Sequence, residues 1–67
     1  MIRIELDDVP LALAEGLTLD ALLDMQGVAR DAVATAVDGV FVPRSARAGF
    51  LLADGARVTL FQPIVGG

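Results

Sequence analysis

The sequence predicts an α+β fold, a mixed sheet of four to five strands covered by one short helix, and three observations predict it. Apolar residues alternate near both ends of the chain, with Ile2, Ile4 and Leu6 at the start and Val58 and Leu60 near the finish. Two β-branched runs flank Asp38-Gly39, the strongest short hairpin signal available. Between these regions Leu19, Leu22 and Leu23 fall at helical spacing behind Thr18.

Each element follows from its residues. Ile2, Ile4 and Leu6 share one face of a strand over 1–6, and Arg3 and Glu5 share the other. Asp7-Asp8 reads as a turn, and 9–13 as a second strand, with Pro10 restricting it to an edge paired with the first. Gly16 ends that hairpin. Thr18 is the N-cap of a helix over 19–26, Asp20 suits the positive end of its dipole, and Gly27 stops it. So short a helix is stable only with its leucine face packed on the sheet.

Strands over 33–37 and 40–42 then form a hairpin around Asp38-Gly39, in which Val37 faces Val40 and Thr35 faces Val42. This valine side is assigned to the core, leaving Ala34, Ala36 and Phe41 on the other side. A loop through Pro43, Arg44 and Ser45 leads to Phe50, Leu51 and Leu52. Asp54-Gly55 then turns the chain into a last strand over 57–62, with Val58 and Leu60 inward and Arg57, Thr59 and Phe61 outward. Strand, strand, helix, strand, strand, strand, tail is the β-grasp, or ubiquitin-like, order. It places the first strand beside the last, parallel to it.

The 67 residues make one domain, 1–67, and a chain of this length buries only about 60% of its unfolded surface. A composition 55% hydrophobic and 21% charged is that of a folded domain with a core. What the sequence omits narrows its chemistry. Cys, His, Trp, Tyr and Lys are all absent, so thiolate or imidazole ligands for zinc are lacking, and Ser45, the only serine, has no base to activate it. The pairs Asp7-Asp8 and Asp20/Asp24 read as a turn and a solvated helix face. The expectation is a protein that is not an enzyme, holding no metal or cofactor of its own.

A net charge of −4, with five scattered Arg residues, disfavours nucleic acid as a partner. Glu5, Asp7 and Asp8 interrupt the N-terminus before any signal peptide or membrane span could develop. Cytoplasmic location is the resulting expectation.

The tail, 63–67, begins at Pro63 and carries Gly66 and Gly67. Five extended residues reach about 16 Å at 3.3 Å each. Two residues without Cβ atoms make a thread narrow enough for a constricted channel.

Four segments carry a family resemblance: the Val37-Asp38-Gly39 turn, Val42-Pro43-Arg44-Ser45, Asp54-Gly55, and the ending Leu60-Phe61-Gln62-Pro63-Ile64-Val65-Gly66-Gly67. With them the whole chain resembles the ubiquitin-related sulfur carriers of bacterial thiamine biosynthesis and, more distantly, the small subunit of molybdopterin synthase. Val-Pro-Arg favours the thiamine branch, whereas Pro63 is also reminiscent of the molybdopterin branch. Many members have Asn where this chain has Asp38, a change that preserves the turn.

The resemblance implies a mechanism. An E1-like adenylyltransferase would use ATP and Mg to attach AMP to the Gly67 carboxylate, and a desulfurase system would supply the sulfur that displaces AMP. The resulting thiocarboxylate would pass its sulfur to thiazole synthase. Gly67 would be the reactive residue and Gly66 would give access. The alternatives at this point are the molybdopterin-synthase subunit, a ubiquitin-like protein modifier, and a binding module without chemistry.

Partner-binding candidates are Phe61, Phe41, Arg44 and Ile64. The two phenylalanines would form an interaction patch on an uncovered sheet face, unless a register slip of one residue buries them. Arg44 is either a docking contact or an ordinary surface ion pair.

Overall fold

The computed structural model describes residues 1–62, so the tail over 63–67, including Ile64, Gly66 and Gly67, lies outside the described residues. Five strands, β1 (Ile2–Leu6), β2 (Val9–Leu13), β3 (Ala34–Val37), β4 (Val40–Val42) and β5 (Arg57–Phe61), join in one sheet of order β2-β1-β5-β3-β4. One α-helix among the described residues, α1 (Leu19–Met25), covers it. The mixed sheet, the parallel β1-β5 pairing and the edge position of β2 with its Pro10 all agree with the sequence.

Local chemistry fixes the elements. The Thr18 hydroxyl accepts the Ala21 N–H at 3.1 Å, leaving one fewer unsatisfied donor at the start of α1, and Gly27 beyond its end has φ of 69°. In the β3-β4 turn Asp38 and Gly39 have φ of 53° and 80°, and in the β1-β2 turn Asp7 and Asp8 have 48° and 69°. Two successive positive φ values make turns that match the right-handed twist of the flanking strands. Aspartate is among the few side chains that tolerate that conformation.

Leu19, Leu22 and Leu23 of α1 are buried, the first two packed in a core with Ile2, Ile4, Leu13, Val37, Val42, Leu52, Ala56 and Val58. The β3-β4 register is the one the sequence predicts: Val37 opposite Val40 and Thr35 opposite Val42. One core assignment is corrected. Val40 is 66% exposed, because it stands on the edge strand beside the turn, where the short helix does not reach. Boundaries also tighten by a residue: α1 stops at Met25 with Gln26 as its C-cap, β1 starts at Ile2, β3 at Ala34, and β5 ends at Phe61.

Two short 3-10 turns, Arg30–Ala32 and Arg44–Gly49, are additions the sequence pattern did not suggest. Arg47, in the second, is only 2% exposed. Its Nε donates to Thr35 Oγ1 at 3.1 Å, its Nη1 to the Arg30 carbonyl at 3.0 Å and its Nη2 to the Val33 carbonyl at 2.7 Å. Thr35 Oγ1 in turn donates to the Val42 carbonyl at 2.9 Å. No salt bridge among the described residues involves Arg47, so backbone oxygens and one hydroxyl take the place of a counter-ion. A guanidinium serves this role because its planar fork aims several donors at fixed acceptors.

Arg47 therefore ties both 3-10 turns to the start of β3. Hydrogen bonds to a charged group are worth about 1.5–3 kcal/mol each. Arg47→Met should cost about 3 kcal/mol or more, read as a lower denaturant midpoint. An unchanged midpoint would show that the network contributes nothing net.

Candidate functional site

The two faces of the sheet differ in what covers them. Alternation along each strand sends Ile2, Ile4, Val58, Thr35, Val37 and Val42 toward α1 and leaves Arg3, Glu5, Arg57, Thr59, Phe61, Ala34, Ala36 and Phe41 on the opposite face. The outer face divides again. Its β1-β5 side is charged, with Arg57 Nε donating to Glu5 Oε2 at 3.3 Å, and its β5-β3-β4 side is apolar.

On the apolar side Ala34 lies opposite Phe61 and Ala36 opposite both Thr59 and Phe41. The two phenylalanines thus flank β3 on one face, one on each neighbouring strand, separated by two strand spacings and two residues, about 12 Å between Cα atoms. The alanines keep the floor between them low. Phe41 is 64% exposed and Phe61 52%, while Ala36 beneath is only 7% exposed. The outward direction predicted for both rings holds.

Arg44 follows β4 and Pro43. Its Nη1 donates to Asp31 Oδ1 at 2.9 Å, with both side chains largely in water, and exposed pairs of this kind are worth at most about 1 kcal/mol. The structure therefore brings Phe41 and Phe61 onto one surface and gives Arg44 an acidic partner on the 3-10 turn Arg30–Ala32. Ile64, Gly66 and Gly67 lie outside the described residues.

The acidic pairs noted in the sequence serve the scaffold. Asp7 and Asp8 form the first turn, and Asp20 receives Arg30 Nε at 2.8 Å. Among the described residues no cluster of three or more acidic side chains could hold a metal ion, and no helix is long and apolar enough to cross a membrane. The concavity at the β1-β2 edge, lined by Arg3, Pro10, Leu11 and Ala12, contains one cation and no acid or nucleophile.

Sequence reasoning missed Arg47 and a second kind of contact. Three turn aspartates accept backbone N–H groups: Asp7 from Leu60, Asp38 from Arg57 and Asp54 from Arg3, at 3.0, 3.0 and 2.8 Å. Each sits in a predicted turn, which was the available signal; which distant amide it would hold was not readable without the register.

A helix-covered sheet in the order β2-β1-β5-β3-β4, with β5 at its centre leading into residue 63, is a β-grasp domain of the ubiquitin-like class. A family model described as the ThiS family matches residues 3–67. The crystal structure of the thiamine biosynthesis protein ThiS from Geobacter metallireducens is similar with a TM-score of 0.86 and 25% identity, over 98% of this chain and 100% of that one. An NMR solution structure of a thiamine biosynthesis protein from the same organism gives 0.77 and 25%, over 98% and 88%. Comparison with curated proteins finds no match. The chain belongs to the ThiS family.

The exposed position of Phe61 sets an expectation for stability. Phe61→Ala should shift the thermal midpoint by little, since the lost cross-strand contact with Ala34 is worth about 0.2–1 kcal/mol. Ile4→Ala, on the buried face of β1, should cost about 2–5 kcal/mol. Equal losses from the two substitutions would place the Phe61 ring in the core.

Proposed function

We propose that this protein is a sulfur carrier of thiamine biosynthesis, with the C-terminal carboxylate on Gly67 as its reactive group. The observation that carries the proposal is membership of the ThiS family over residues 3–67, a match that runs through the Gly66-Gly67 ending. The chemistry of the chain supports it. With few catalytic side chains to offer, a small domain can still take part in a reaction by presenting its own terminus to a partner.

In this account a partner adenylyltransferase supplies ATP and Mg. One oxygen of the Gly67 carboxylate attacks the α-phosphorus, pyrophosphate leaves, and an acyl adenylate forms. Hydrosulfide, released from the persulfide of a desulfurase system by a thiol reductant that is oxidised to its disulfide, then attacks the acyl carbon, AMP leaves with the bonding electrons, and a proton is released. The thiocarboxylate so formed delivers sulfur to a thiazole synthase. The protein is a co-substrate throughout, and no step needs a cofactor held by the chain.

The outer sheet face supports a docking role for the body. Two exposed phenylalanines over an alanine floor make an apolar patch of the kind partners cover, and aromatic residues dominate binding energy at such patches. Phe61 ends β5 two residues before Pro63, so the patch and the reactive terminus are close along the chain. Arg44, Ile64 and Phe41 are further contacts in this proposal, and the net charge of −4 favours a basic partner surface.

The tail is tested by position. Adding one alanine after Gly67 displaces the carboxylate by up to about 3.3 Å. Gly66→Val keeps the length and widens the thread. Both variants should stay folded and should lose at least about tenfold in ATP–pyrophosphate exchange with the cognate adenylyltransferase, since acyl transfer depends on near-attack geometry. Exchange at the wild-type rate in both would contradict a terminus read by position.

A further inference from the structure

The parallel ladder between β1 and β5 is short, and its last rung has an unusual composition. Glu5 N–H donates to the Ala56 carbonyl at 2.9 Å and Asp7 N–H to the Val58 carbonyl at 2.9 Å. In a regular parallel ladder the next bond would run from Leu60 N–H to the carbonyl of Asp7 itself. Asp7, however, has φ of 48° where the chain turns toward β2, and its carbonyl takes no bond from Leu60 N–H. The Asp7 side chain fills the place: Oδ1 accepts Leu60 N–H at 3.0 Å.

This substitution holds the end of β5. Paired residues of β1 stop at Leu6 opposite Val58, so Thr59, Leu60 and Phe61 have a strand beside them only on the β3 side. The carboxylate of Asp7 is the contact that secures this terminal stretch from the β1 side. Leu60, whose N–H it holds, lies three residues before Pro63.

We propose that Asp7 is a positioning residue for activation of the C-terminus: by clamping Leu60 N–H it fixes the direction in which β5 delivers the chain to the tail. The proposal rests on the sulfur-carrier role. The end of β5 is held from both sides, by β3 and by Asp7. Held from the β3 side only, Leu60 and Phe61 separate from the sheet more readily, and fewer complexes bring the Gly67 carboxylate to ATP. The loss therefore falls on turnover, while docking of the body is preserved.

Asp7→Gly isolates the clamp, because glycine tolerates the positive φ of this turn and carries no acceptor. Asp7→Asn restores an oxygen acceptor without the charge. Asp54→Ala is the control. It removes a comparable aspartate bond, to Arg3 N–H at 2.8 Å, in the turn that precedes β5, at the opposite end of the strand from Leu60. Full-length carriers are compared in ATP–pyrophosphate exchange with the cognate adenylyltransferase, together with the Kd of each complex and the hydrogen-exchange rate of the Leu60 amide.

The expected result for Asp7→Gly is a kcat lower by about tenfold, the order that slight misplacement of reacting groups produces, with Kd unchanged and faster exchange at Leu60. Asp7→Asn should recover kcat, and Asp54→Ala should retain it. A wild-type kcat in Asp7→Gly, an equal fall in Asp54→Ala, or no recovery in Asp7→Asn overturns the positioning role. If the wild-type carrier itself supports no exchange, the sulfur-carrier role fails and the positioning role falls with it, an outcome the wild-type control identifies directly.

Discussion

The parallel pairing of β1 with β5 is the constraint on which the rest depends. It brings the first strand against the last, so the final element is central in the sheet, flanked by β1 and β3. Antiparallel hairpins close locally, whereas a parallel pair requires a long connection. Here the connection includes α1, both 3-10 turns and the β3-β4 hairpin, and the helix it places over the sheet buries the leucine face that a helix of seven residues could not otherwise sustain. Helix cover, core and the central place of β5 all follow from this one pairing.

A chain of 67 residues has little interior to divide among tasks, and the two faces of the sheet show how it is divided. The inner face takes nearly all the large aliphatic residues. The outer face keeps Phe41 and Phe61 in water, which a folded monomer gains nothing from and a docking partner can use. Arg47 fits the same limited interior. A buried guanidinium is costly, yet this one satisfies carbonyls of irregular backbone that no strand ladder could reach, so the linking segments are ordered without a larger core.

The sequence made much of this legible because most elements have a local cause. Alternation marked β1 and β5, Thr18 and Gly27 bounded the helix, and Asp38-Gly39 set a hairpin register that in turn determined the directions of Phe41 and Phe61. What was not legible depends on contacts between distant segments. Val40 belongs by alternation to the core face but stands beyond the reach of α1. Nothing near Arg47 in the chain distinguishes it from the exposed Arg44, and its burial arises only when three separate segments converge. The clamp from Asp7 to Leu60 spans 53 residues in sequence and appears only with the β1-β5 register. For Gly66 and Gly67 the sequence and the family match remain the basis of the proposal.

The most direct measurement is the intact mass of the wild-type protein after incubation with its cognate adenylyltransferase, ATP, Mg and sulfide, followed by fragmentation of the product. The account predicts a gain equal to the difference between one sulfur and one oxygen atom, confined to Gly67. An unchanged mass under conditions where the enzyme activates another ThiS-family carrier, or the added sulfur located anywhere other than Gly67, would contradict it.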